Sequence, residues 1–432
     1  MTSINIVCQV DGAEEFRINA PFINYNINDN EMFSYTFWNN QLKRLPTYFS
    51  NVGIDLLCLS LFVFGADRIV PRKDFEDCWT RNINMYIPVL ELEIWEQNKE
   101  LVQNMLNYLS GDKWNLTFRY RGFTKNELEW KNRINNSNET KVNANKVCMF
   151  SGGLDSFIGV IDLLEVCNEE IIFVSHYGGG KGVKEYQDGL KDKFINNYNV
   201  NENIFFSFYA AAMNGKEDTT RTRSLMFFSH AIAIATCMNT QVNLIIPENG
   251  LISLNIPLTN SRLGSSSTRT THPYYMKMLQ ELLSKLGIDI RVINPYQFKT
   301  KGEMIQQCKN IGFLKNNIVN TMSCSHPDHG RMLGETESCH CGNCLPCVIR
   351  RAAIKKSGIE DITIYRDKKF DSGKTANMNL NSYLLGIGKY DEKNSFLIIQ
   401  KSGPLTSDLE KYSALYKRGL QELMELLEEC NE

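Results

Sequence analysis

Apolar and polar positions along this chain repeat with two periods, and the change between them outlines its architecture. Alternation in steps of two predicts strands over residues 4–9, 84–89 and 113–120. Helical spacing predicts a buried helix over 54–64 and an amphipathic one over 95–109. These elements read as an N-terminal α+β docking domain, residues 1–122, with no catalytic spacing of its own. Residues 123–145 then turn polar and asparagine-rich ("WKNRINNSNETKVNANK"), which reads as a linker. Beyond it strands and helices alternate: strands over 146–150, 171–177, 203–208, 243–247 and 290–294, helices over 157–165, 183–198, 224–239 and 274–287. That order predicts an α/β domain, residues 146–365, with a parallel sheet covered by helices on both faces. Residues 366–432 form a C-terminal extension, mostly an acidic helix from Ser407 onward, read as a packing or docking arm.

Between the first strand and helix of the α/β domain lies Ser151-Gly152-Gly153-Leu154-Asp155-Ser156. Two glycines allow a tight turn, so backbone N–H groups and two hydroxyls face outward at a helix N-terminus. Such an end binds anions. No Gly-Lys-Ser/Thr follows, so this is not a Walker A loop. In an open parallel sheet, ligands sit at the carboxyl ends of the strands, where this turn falls. Glu248 and Asn249 follow the 243–247 strand at its own carboxyl end, with a turn cap as their plainer role. Arg262, Ser265, Ser266, Ser267, Thr268, Arg269 and His272 form a polar, glycine-containing loop suited to a lid.

Composition narrows the class. The 432 residues are 43% hydrophobic and 22% charged, with a net charge of −2. This describes a folded enzyme-sized chain without the basic field of a nucleic-acid binder. The longest apolar run, 56–66, is too short for a bilayer, and the N-terminus lacks a signal-peptide pattern. Thirteen cysteines, an odd number, on such a chain imply a reducing cytoplasm. No membrane or nucleic-acid partner is expected.

Five cysteines fall between Cys324 and Cys347. Cys341, Cys344 and Cys347 form C-x2-C-x2-C, and Cys324 completes a four-thiolate set of the structural Zn2+ type. Cys339 is the rival fourth ligand; a redox pair and an iron–sulfur cluster are the other readings of the spacing. His326, His329 and His340 are read as surface or supporting residues.

SGGLDS resembles the pyrophosphate-binding loop of the PP-loop ATPases, the adenine nucleotide alpha-hydrolase-like, Rossmann-like enzymes that split ATP into AMP and pyrophosphate. Together with the cysteine set downstream, it is similar to the QueC family, which uses ATP and ammonia to turn a 7-carboxy-7-deazaguanine into the nitrile. "TRTRSLMFFSHAIAIA", "NPYQFKTKGEMIQQCKNIG" and "TMSC…CGNCLPCVIRR" carry that resemblance. It implies ATP and Mg2+ at residues 151–156, with Asp155 holding the metal or bracing the loop. Arg223 and Lys301 become catalytic phosphate or carboxylate contacts, and Glu248, Asn249 and Arg262 substrate contacts. Zn2+ falls to Cys324, Cys341, Cys344 and Cys347.

Where the biosynthetic family has a Tyr-Pro-Asp-Cys-Arg segment, this chain has "IIPENGLISLNIPLTNSRLGSSSTRTTHP". That wording and the extra N-terminal residues resemble the QueC-like proteins of bacterial anti-phage operons, QatC of the Qat system above all. The resemblance implies an adenylate-forming ligase acting on a deazaguanine-type substrate, with proteins of the same operon as partners. A PP-loop tRNA-modifying enzyme and a non-catalytic nucleotide-binding subunit are the competing readings.

Overall fold

The computed structural model describes residues 3–12, 15–167, 169–178, 181–219, 221–258, 269–331 and 334–431. Strands β1 (Ile4–Gln9), β2 (Ile23–Asn26) and β3 (Phe33–Tyr35) precede helix α1 (Asn51–Ile69). Then come β4 (Asn82–Val89), α2 (Leu92–Gln97), α3 (Lys99–Ser110) and β5 (Lys113–Tyr120). β1 pairs in parallel with β2 and β4, and β4 with β5, giving the order β2–β1–β4–β5. Every pairing in this sheet is parallel. Helices, not hairpin turns, return the chain between β4 and β5, which is what parallel pairing needs.

The second sheet starts with β6 (Lys146–Met149), after helix α4 (Lys125–Asn135). It continues through α5 (Leu154–Val166), β7 (Ile171–Tyr177), α6 (Lys181–Tyr198), β8 (Phe205–Ala212), α7 (Arg223–Ala235), β9 (Val242–Ile245), α8 (Gly250–Leu254), α9 (Pro273–Lys285) and β10 (Ile290–Ile293). Its order is β10–β9–β6–β7–β8–β3, a parallel, Rossmann-like core with one antiparallel edge. That edge, β3, comes from the N-terminal residues and pairs Phe33 with Ala212 and Tyr35 with Ala210.

One hydrophobic core joins the two sheets. It runs from Ile6 through Val142 and Ala144 to Ile354. Helix α1 is buried along most of its length, as an almost wholly apolar helix must be. Phe37 lies 5.1 Å from Phe208 and 5.7 Å from His230, ring to ring. The segment expected as a polar linker contributes here too. Its α4 opens with a Thr124–Glu127 capping box. Trp130 and Ile134, four residues apart on this polar helix, are buried, and Trp130 stacks on Trp38.

Charge fastens the same junction. Arg81 is fully buried between Asp67 and Asp112, and Thr222, just before α7, donates to Asp67 at 2.8 Å. Arg221 donates to the Ser110 carbonyl at 2.6 Å. Ionised groups survive at such depth only when paired this closely.

After β10 the chain forms α10 (Lys301–Gln306), α11 (Ile311–Asn317), α12 (Leu345–Ser357), α13 (Lys374–Gly388), α14 (Ser395–Ile398) and α15 (Leu409–Asn431). α15 lays its apolar stripe, Leu415, Leu420, Leu423 and Leu427, into a smaller core with Leu254, Val348 and Tyr383. Among the described residues no helix is long and apolar enough to cross a membrane.

Candidate active site

The turn between β6 and α5 carries the first part of the site. Gly152 has φ +83°, and a Cβ there would press on Gln187, so glycine is required. Gly153 has ordinary backbone angles and caps α5 without a side chain. The N–H groups of Gly153 and Leu154 point to the Ser151 and Ser323 hydroxyls, both at 3.3 Å. Ser151 and Ser156 hydroxyls lie 3.1 Å apart, and Gln187 donates to the Ser151 carbonyl at 3.1 Å. The first donors of α5 thus meet only hydroxyls, which an anion can displace.

Asp155, in the first turn of α5, is buried, and three other predicted residues converge on it. Lys301 Nζ lies 3.1 Å from Oδ1. Asn249 donates to Oδ2 through its side chain at 2.7 Å and its backbone at 3.3 Å. The Glu248 carboxyl lies beside the same carboxylate. Burial alone would raise the Asp155 carboxyl, but Lys301, the neighbouring Glu248 carboxyl and the hydrogen bonds of Asn249 hold it below the usual carboxylate range. Burial, and then the Asp155 charge, push Glu248 well above its ordinary value. The negative charge of this pair therefore favours Asp155. Asn249 also caps α8, accepting from Ile252 N–H at 3.0 Å, which is the plainer of its two suggested roles.

The placements follow from the sheet. β6 and β9 are neighbours, so the residues leaving their carboxyl ends meet. Lys301 arrives on α10, whose start is set by a Thr300–Glu303 capping box. One predicted residue does not join this group. Arg223 opens α7 at the surface and makes no hydrogen bond or ion pair with the quartet. Arg262 lies outside the described residues, with Ser265, Ser266, Ser267 and Thr268.

The four predicted cysteines, Cys324, Cys341, Cys344 and Cys347, bring their sulfurs within 4.8 Å of one another. Backbone N–H groups of His326 and Cys341 point at Cys324 Sγ, and that of Cys344 at Cys341 Sγ, each at 3.3 Å. Four soft sulfurs with N–H donors at the thiolates fit zinc in a closed tetrahedral site. Gly342 supplies the knuckle with φ +90°. Cys339 is not one of the converging sulfurs.

Pattern reading missed the residues that join these two constellations. Met322 N–H donates to the Gly152 carbonyl at 2.9 Å. Ser323 N–H donates to His340 Nε2 at 3.2 Å, while its hydroxyl receives Leu154 N–H. The residues leading into Cys324 thus lie directly against the SGGLDS turn. Nothing in the local sequence marks Ser323 for this task.

Comparison with known families bears on the half of the site that includes Lys301 and the cysteines. Residues 269–358 match the family model described as queuosine biosynthesis protein QueC. Over that stretch the chain is QueC-like. The matched segment holds α10, the whole cysteine cluster and all of α12, while SGGLDS lies upstream of it. No curated protein and no solved structure matches the chain.

Proposed function

We propose that this chain is an ATP-dependent carbon–nitrogen ligase of the QueC-like kind, which activates a carboxylate as its adenylate. The observation that carries the reading is the convergence of Asp155, Glu248 and Lys301 beside the N-terminus of α5. A carboxylate oxygen of the substrate attacks the α phosphorus of ATP, and the bond to the bridging oxygen breaks. Charge accumulates on the departing pyrophosphate, where the α5 N–H groups and the Lys301 ammonium stabilise it. Arg223 adds a point charge from the start of α7. An amine then attacks the acyl carbon, AMP leaves with one carboxylate oxygen, and the nitrogen loses a proton to give the amide.

Mg2+ bound with the nucleotide supplies further neutralisation, and Asp155 is the carboxylate able to hold it. Asn249 spends its polar atoms on Asp155 and Ile252, so in this reading it braces the site. Glu248, from its place beside Asp155, and Arg262 recognise the substrate, a deazaguanine-type carboxylate. The amine is ammonia or the end of a partner protein from the same operon, docked on the N-terminal residues. On this reading the chain works in bacterial anti-phage defence, as a QatC-type protein of the cytoplasm. Turnover with ATP and candidate carboxylates tests it: AMP and pyrophosphate are expected, and ADP with phosphate counts against it.

A further inference from the structure

Helix α15 grips the turn that carries Lys301. Arg418 donates to the Phe298 carbonyl at 2.9 Å and to Glu303 at 2.6 Å. Glu422, buried, accepts from the Thr300 hydroxyl and from Gly302 N–H. Thr300 and Glu303 are the two halves of the α10 capping box, so α15 holds both. A Cβ on Gly302 would come within 2.6 Å of the Glu422 carboxylate, which shows how close the helices lie. Lower on α15, Leu415 and Gly419 pack against Gly250 and Leu251, the residues just after Glu248 and Asn249.

Lys301 needs this support for a physical reason. A lysine at the first position of a helix sits beside the positive end of the helix dipole, and its own helix offers it no compensation there. The backbone that aims its ammonium at Asp155 is held by Thr300, Gly302 and Glu303, all three of which contact α15.

We infer that Glu422 and Arg418 are positioning residues that set the Lys301 ammonium against Asp155, so that the C-terminal extension completes the site. The consequence for catalysis rests on the ligase reading; the positioning itself does not. The test uses the full-length chain with Glu422→Gln and Arg418→Met, zinc content and thermal unfolding serving as controls. Reductive methylation read by peptide mass spectrometry compares buried Lys301 with exposed Lys309. Lys301 labelling is expected to rise several-fold over Lys309 in both variants. In AMP formation, kcat is expected to fall about tenfold or more at little-changed KM for ATP. In a Lys301→Met background, Glu422→Gln should have no further effect on kcat. Unchanged Lys301 labelling in folded variants overturns the inference, and so does an additive loss in the double variant. If Glu422→Gln is insoluble, Arg418→Met carries the same comparisons. Should the wild type form no AMP, the ligase reading fails, and the labelling still decides whether α15 positions Lys301.

Discussion

Lys301 and Asp155 face each other at 3.1 Å, both almost fully buried, and their contact ties α10 to the first turn of α5. Both charges are largely withdrawn from water, so each depends on the other. Lys301→Met should lower stability by about 3 kcal/mol, because a partner's loss leaves a buried charge uncompensated. AMP formation should drop about 100-fold or more in that variant, with zinc retained. Denaturant unfolding, metal analysis and steady-state rates check the three parts. A Lys301→Met enzyme with unchanged turnover would remove this lysine from the chemistry.

The two glycines of the turn should behave differently. Gly152 has positive φ, so Gly152→Ala should cost about 1 kcal/mol or more in folding before any question of catalysis. At Gly153 an added Cβ meets its nearest neighbours at 3.4 Å, an ordinary contact. Gly153→Ala should therefore fold like the wild type and yet lose turnover, since the methyl occupies space that a phosphate needs at the α5 N-terminus. Thermal melting set beside ATP binding separates the two cases.

About one zinc per chain should be found in freshly purified, reduced protein. Cys344→Ser should lose it, with a fall of several kcal/mol in stability, while Cys339→Ser should keep it. Because Met322 and Ser323 touch the SGGLDS turn, stripping the metal with a chelator should also weaken ATP binding. Elemental analysis with calorimetric titration of ATP reads both effects.

Which parts of this arrangement were legible in the sequence follows from how local each signal is. The glycine pair, the C-x2-C-x2-C knuckles and the strand–helix alternation are written within a few residues, and so they could be read. The placement of Glu248 and Asn249 beside the turn was legible because residues leaving the carboxyl ends of neighbouring parallel strands meet. Strand β3 was not, since three residues have no periodicity and owe their conformation to β8. The 123–145 stretch hid Trp130 and Ile134 among asparagines. Ser323, Glu422 and Arg81 became visible only in the folded chain, where the partner that explains each one is far away in sequence.

Acid should destabilise the fold through His230. Burial pushes this imidazole down to about 4, among Phe37, Phe208 and the similarly neutral His176. An unfolded chain binds the proton near pH 6.5 and the native one does not, so stability is present above that value. It is lost as pH falls from about 6.5 toward 4, by about 3 kcal/mol for this one group. His230→Phe should flatten that part of a stability–pH curve measured by urea unfolding. An unaltered slope would show that His230 does not titrate with unfolding.

The most direct measurement follows oxygen. A deazaguanine-type carboxylic acid labelled with 18O in its carboxylate is incubated with ATP, Mg2+ and ammonia or the operon partner. Adenylation followed by amine attack must leave one labelled oxygen on the phosphate of AMP, with pyrophosphate as the other product. Mass spectrometry of the nucleotide is expected to show AMP heavier by one 18O. Unlabelled AMP, or ADP in its place, would contradict the account.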